Sequence, residues 1–206
     1  MHVLSASTRT DYNDVYLSLA KTLTELDSVE TREITPAIKT FFEQRYAPLY
    51  VAGANGRKEF LFDLAVLSCD PRAVYLNDQP EHKLHVAIES ELGGTSASAS
   101  KAALQNVIVD FIKLLYANAE QKILIAAYSI AHKYAHDPEG EFRKIITRLE
   151  DINNKSHNDT PILCVFVRGD HTSGNSRQLK ICRPIHTRGV ILHKHSEPID
   201  LPVQSA

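Results

Sequence analysis

Cysteine is scarce: Cys69, Cys164 and Cys182 are the only three in 206 residues, an odd set with no Cys-x-x-Cys spacing. Reduced, buried thiols in a cytoplasmic protein account for them better than a disulfide framework or a zinc site. No apolar run is long enough to span a bilayer. The opening residues, Met1 to Arg9, lack the cationic start and long apolar stretch of a signal peptide. Charge of either sign is not in excess: 23 basic against 25 acidic residues give a net charge of −2, which excludes a globally basic nucleic-acid binder. Any such binding requires a local patch. Gly93-Gly94-Thr95-Ser96 lacks the Gly-Lys-Ser/Thr ending of a phosphate-binding loop, and no Gly-x-Ser-x-Gly elbow occurs. There is no internal repeat and no linker, and the only low-complexity tract is Ser96–Ser100. What remains is ordinary globular composition, 43% hydrophobic and 23% charged, enough for one good core.

The periodicities alternate between helix and strand. Tyr12 to Leu26 reads as a helix with Val15, Leu19, Leu23 and Leu26 as its stripe, and Thr35-Pro36 as the start of a second helix ending near Arg45. Leu49–Val51 is a short strand, and Asn55-Gly56 is a tight turn. Lys58 to Leu67 reads as a strand broken by Asp70-Pro71, and a further turn falls at Asn77–Pro80. A strand from His85 leads to a helix over Lys101–Ala119, with Leu104, Val107, Ile108, Phe111, Leu114 and Leu115 inward. Lys122 to Tyr128 is nearly continuous apolar sequence, the mark of a central parallel strand. This strand, helix and strand make one right-handed crossover unit. A helix from Pro138 to about Ile152, a buried strand over Pro161–Arg168 and shorter strands at Gln178–Cys182 and Gly189–His193 complete the pattern. One α/β domain spanning 1–206 follows, with a mixed central sheet flanked by helices. Its core runs from about 41 to 168, basic strands occupy 178–195, and the tail over 198–206 is expected to be flexible.

Glu89 and Glu91 lie two residues apart on the His85 strand, so both share one face, while Val86, Ile88 and Leu92 have the opposite parity. Asp63 stands amid apolar Phe62 and Leu64, where a charge is costly unless paired or liganded. A pairing with Arg57 or Lys58 is one explanation. A divalent metal is another, because hard cations such as Mg²⁺ take carboxylate oxygens and keep several waters. An ion so held lowers the pKa of bound water and neutralises charge on a phosphodiester.

The residues Phe62-Asp63, then Ile88-Glu89-Ser90-Glu91, then the helix and strand Val109–Leu115 and Lys122–Ile125, resemble the core of the PD-(D/E)xK nuclease superfamily, which includes many restriction endonucleases. The similarity covers roughly Phe41 to Tyr128 and rests on the order of elements more than on the letters. It implies a restriction-endonuclease-like core and a deoxyribonuclease dependent on Mg²⁺, or Mn²⁺. Asp63 and Glu89 would be metal ligands, with the Ser90 carbonyl as a backbone ligand. Glu91 falls where the family usually carries lysine. Three readings stay open there: Glu91 is a further metal ligand or general base, as in Glu-x-Glu members; Lys101 or Lys113 on the following helix compensates; or the site is inactive. Lys113 also has the spacing to pair with Asp110 on the helix surface. Glu43 is either an extra acid near the metal or a plain surface residue.

His132 and His136 have the i, i+4 spacing of zinc ligands but no evident third partner. Arg168, His171, Arg177, Lys180, Arg183, His186, Arg188, His193, Lys194 and His195 fall together with few acids between them. Of these, Arg168, Arg177, Lys180, Arg183 and Arg188 are the candidate phosphate contacts, with Arg143, Lys144 and Arg148 extending the patch, unless all are solvated charges at a sheet edge. The expected partner is double-stranded DNA, and a homodimer would match a palindromic site by its twofold axis. The alternative is an inactive nuclease fold serving as a binding or regulatory subunit of a restriction or nuclease complex.

Overall fold

A computed structural model describes residues 6–27, 31–54, 56–75, 82–92, 100–131, 138–171, 179–181 and 185–205 of the protein. The four helices among them are α1 (Ala6–Thr24), α2 (Thr31–Arg45), α3 (Ser100–Tyr116) and α4 (Pro138–Asn154). The strands are β1 (Tyr50–Ala52), β2 (Leu64–Leu67), β3 (Leu84–Glu91), β4 (Gln121–Ala131), β5 (Ile162–His171), β6 (Leu179–Ile181), β7 (His186–Leu192), β8 (Ile199–Asp200) and β9 (Gln204–Ser205). They join one sheet in the order β1-β2-β3-β4-β5-β7-β8, with β6 on β5 and β9 on β7. β3, β4 and β5 run parallel, and every other pairing is antiparallel. The protein is thus an α/β fold with a mixed sheet flanked by helices.

Strand parity sorts the core into two layers. Val86, Ile88, Ile123, Ile125, Leu163 and Val165 face α1 and α2, where they meet Tyr16, Leu19, Ile38 and Phe42. Ala87, Leu124, Ala126, Cys164 and Phe166 face α3 and α4, against Phe111, Leu114, Phe142 and Leu149. Glu89 has the parity of Ala87 and points to the second layer.

α2 begins upstream of its expected start because Ile34, Ile38 and Phe42, spaced four apart, are all buried. Pro36 is carried inside this helix as its sixth residue, where it supplies no backbone N–H to the helical hydrogen bonding. The strand expected over Lys58–Leu67 is shorter, since only Leu64–Leu67 joins the ladder. Upstream, Phe60 and Phe62 form an isolated bridge around Leu61, whose φ is 66°. Phe60 and Leu61 are exposed, so their apolarity has no core to hold it in register. Gly53, at φ +84°, carries β1 past this loop so closely that a Cβ there would lie 2.0 Å from the Asp63 carbonyl oxygen. Asp63 therefore stands one residue ahead of β2, not in mid-strand.

The tail, expected to be flexible after Pro198, pairs with β7: Ile199 and Asp200 lie opposite Ile191 and Val190, and Gln204 and Ser205 opposite Thr187 and His186. Leu201 is buried. The Tyr16 hydroxyl lies 2.7 Å from the Pro202 carbonyl and 3.1 Å from that of Thr187, tying the tail to α1. The turns at Asn55 and Asn77–Pro80 and the loop from Gly93 to Ser96 lie outside the described residues.

Candidate active site

The site forms where the loop entering β2 meets β3 beneath α3. β2 and β3 are antiparallel with Leu64 opposite Ile88, which places Asp63 beside the Glu89–Ser90 peptide. The Ser90 N–H donates to Asp63 Oδ2 at 2.8 Å. Burial raises the Asp63 carboxyl above its ordinary value, this hydrogen bond partly opposes the rise, and the negative charges of Asp110 and Glu59 add to it.

Glu89 is fully buried. Burial, and then the charge of Asp63, push its pKa up to about 7. Lys113 acts in the opposite sense: its Nζ lies 3.4 Å from each Glu89 oxygen. The contact is a hydrogen bond only to Oε2, and buried Oε1 has no hydrogen-bond partner among the described residues. Asp110, one turn back on α3, holds the same ammonium at 2.7 Å. Lys113 therefore has the Asp110 pairing that its helical spacing offered, and lies against Glu89 as well.

Two carboxylates, one with an underbonded buried oxygen, suit a hard cation, which needs only one or two protein carboxylates and keeps waters for the rest. Among the described residues, no group of three or more His, Cys, Asp and Glu side chains is assembled to hold a metal ion. Asp63 and Glu89 are the pair that fits; the orphaned Glu89 Oε1 is the observation that favours it.

Glu91 shares the face of Glu89, two residues on, and is half-buried. The charges that dominate Glu89 come from Asp63, Lys113 and Asp110. Lys101 lies in the first turn of α3, where only the backbone is described. Glu43 pairs with Arg57 at 3.1 Å, so this arginine is engaged by Glu43 and not by Asp63. Sequence reasoning treated Asp110 as a surface partner only. The spacing that joins it to Lys113 was visible, but the rotation of α3 that turns both toward β3 was not.

The basic residues divide differently from expectation. Arg188 is mostly covered, donates to both Glu139 oxygens at 2.6 and 3.0 Å and stacks over the Phe142 ring at 3.8 Å. It fastens β7 to α4 and is not an open phosphate contact. Arg143 binds the same Glu139 and also Asp200 on β8. Arg168 is half-buried opposite Tyr128, at the C-terminal ends of the parallel strands. Ligands of open α/β sheets gather at that end. Lys180 lies on β6, where the backbone alone is described, and Arg177, Arg183, His132, His136 and Cys182 lie outside the described residues. Cys164 is buried and free, and burial pushes its thiol up.

The sequence did not mark Lys122 as a polar site. It is 2% exposed at the start of β4, hydrogen-bonded to Asn158 Oδ1, and burial lowers its pKa to about 8. The Tyr12 hydroxyl accepts from its N–H at 3.2 Å and donates to the Pro161 carbonyl at 2.7 Å.

Comparison with family models, curated proteins and solved structures finds no match. No helix among the described residues is long and apolar enough to cross a membrane.

Proposed function

We propose that the protein is a divalent-metal-dependent deoxyribonuclease of restriction-endonuclease-like fold, with its centre at Asp63, Glu89 and Lys113. The observation that carries this reading is Glu89 itself: a fully buried carboxylate, faced by a second one, with a lysine ammonium against its two oxygens. The order of elements supports it, since the acid-bearing antiparallel pair β2–β3 leads through α3 into parallel β4. So does the position of Glu89, on a strand paired on both sides.

The chemistry follows from the residues. Asp63 and Glu89 would hold Mg²⁺ or Mn²⁺, with the Ser90 carbonyl beside them. Such an ion, when bound, supplies an acidified water and offsets charge on the phosphate. Asp63 is oriented by the Ser90 N–H. Glu91 cannot supply a positive charge where the family usually has lysine, whereas Lys113 brings one to the same carboxylates from the helix. Asp110 keeps Lys113 protonated and aimed. Lys113 then takes the role of stabilising negative charge developing on the phosphoryl oxygens. Arg168 would meet the DNA backbone, and a homodimer would address both strands of a symmetric site.

A second reading rests on Glu91 and on Lys113 being held by two acids at once: a nuclease fold without catalysis, acting as a DNA-binding or regulatory subunit. One experiment separates the two. Purified protein is assayed for plasmid cleavage in Mg²⁺ and in Mn²⁺, beside Glu89→Ala shown by circular dichroism to keep its fold. Cleavage abolished by the substitution supports the enzyme. Cleavage unimpaired in the variant contradicts the site. DNA binding by the wild-type protein with no cleavage in either ion supports the second reading.

A further inference from the structure

Lys113 holds its two partners unequally. Its Nζ lies 2.7 Å from Asp110 Oδ1 but 3.4 Å from each Glu89 oxygen, so the short, strong contact is the one made within α3. The side chains also differ in depth: that of Glu89 is 1% exposed, that of Asp110 13% and that of Lys113 46%. The ammonium thus lies against a sealed carboxylate while its own surroundings are half open to water. An ion that approaches Glu89 from the α3 side meets Lys113 first.

Glu89 gains little from this contact. A buried carboxylate calls for hydrogen bonds or a ligand at its oxygens, yet Oε2 has one long bond and Oε1 has no hydrogen-bond partner among the described residues. The charge of Asp110 bears on both Glu89 and Asp63, so three carboxyl groups share the Lys113 ammonium. Withdrawing that ammonium from Glu89 gives up the long contact and keeps the short one. The four-carbon stem of lysine is flexible enough to make the move. A divalent ion in its place brings two charges and direct bonds to the carboxylate oxygens.

We propose that Lys113 is the resident cation of this centre: it neutralises Glu89 whenever no divalent ion does, and a divalent ion enters by exchange, leaving the ammonium on Asp110. The inference rests on the metal reading of Asp63 and Glu89 and gives that site its regulation. A monovalent ion brings no more charge than the ammonium it would displace, so exchange keeps Na⁺ and K⁺ out. Exchange also frees Lys113 to meet phosphate oxygens only once the divalent ion is in place. The ion and the DNA backbone then strengthen each other's binding by the same factor.

The test is calorimetric titration of the full chain with Mg²⁺ without DNA, at a series of pH values from 7 to 9 so that proton competition for Glu89 is followed separately. Lys113→Met is expected to bind Mg²⁺ about tenfold more tightly than the wild-type protein, the factor that one charged hydrogen bond carries. Lys113→Gln keeps a donor without the charge and is expected to tighten binding in the same direction, which guards against a folding defect in the first variant. In parallel, the Lys113 ammonium signal, assigned by its loss in the variants, is followed in ¹⁵N-lysine NMR spectra. It is expected to move as Mg²⁺ saturates the protein and to stay in place in K⁺ at equal ionic strength. Equal or weaker Mg²⁺ binding in both variants, or a Lys113 signal unmoved at saturation, overturns the exchange. Glu89→Gln separates this failure from that of the metal reading. Wild-type Mg²⁺ binding that Glu89→Gln abolishes, with no gain in the Lys113 variants, keeps the metal site and removes the exchange. No Mg²⁺ binding by the wild-type protein, or binding unchanged in Glu89→Gln, removes both.

Discussion

A carboxyl group sealed from water next to a second carboxylate holds its proton into the neutral range, and that makes Glu89 testable without any substrate. Its pKa rises from 4.5 to about 7 on folding. Between those values the folded protein binds more protons than the unfolded chain, so stability falls as pH rises through that window. The loss is on the order of 3 kcal/mol by the usual equivalence of proton affinity and free energy. Glu89→Gln is expected to remove this slope and to be the more stable protein at pH 8, as read by urea denaturation at a series of pH values. Mg²⁺ or Mn²⁺ favours the ionised carboxylate, so either ion is expected to raise the Tm of the wild-type protein at pH 8 and not that of the variant. Lys122 has the opposite sign. Burial lowers it from 10.5 to about 8, so the unfolded chain binds more protons in that interval and stability rises with pH there. Lys122→Met is expected to flatten that rise in the same measurement. At this scale the sequence was half legible. The alternation of Val86, Ala87, Ile88 and Glu89 revealed which face the acid takes. Lys122 was hidden inside an apolar run, because nothing local foretold that Asn158 would meet it.

Elements place the site through close backbone approaches, and two glycines separate position from stability. Gly189 lies under the Tyr16 ring, where an added Cβ would sit 2.8 Å from Cδ2. Gly189→Ala is expected to cost about 1–3 kcal/mol by overpacking α1 on β7, with metal-dependent cleavage little changed below the new Tm. Gly53 combines φ +84° with the Asp63 carbonyl 2.0 Å from its ideal Cβ. Gly53→Ala is expected to lower stability and also to depress cleavage, because the loop that carries Asp63 must move. Thermal melts and initial rates on the two variants check the contrast. The sequence could not show this loop. Phe60, Leu61 and Phe62 have the composition of a strand, but only Phe62 finds a core to pack against, and Phe60 and Leu61 are left exposed. The helices were easier: Val15, Leu19 and Leu23, like Phe111 and Leu114, have spacings that survive any tertiary context, although Ile34 fell ahead of the start expected for α2.

The described residues form a single sheet whose two faces are closed by α1 with α2 and by α3 with α4, and whose last strands seal the β7 edge. Leu201 is buried and the Pro202 carbonyl accepts from Tyr16. Truncation after Glu197 is therefore expected to destabilise the protein by about 2–4 kcal/mol, from one lost core side chain and its hydrogen-bonded tether. The tail was illegible in sequence because Ile199 and Leu201 are too few to set a period, and their pairing depends on β7, which no local pattern specifies. The general α/β order was legible because each long element repeats its own signal.

The central claim is that Asp63 and Glu89 hold one divalent cation. A crystal grown or soaked in Mn²⁺, with anomalous diffraction recorded at the manganese edge, tests it most directly. The structure leads us to expect a single anomalous peak within ligand distance of Asp63, Glu89 and the Ser90 carbonyl, with Lys113 moved off the Glu89 oxygens. A map with no peak there, and Lys113 still bound to Glu89 at saturating Mn²⁺, would contradict the account.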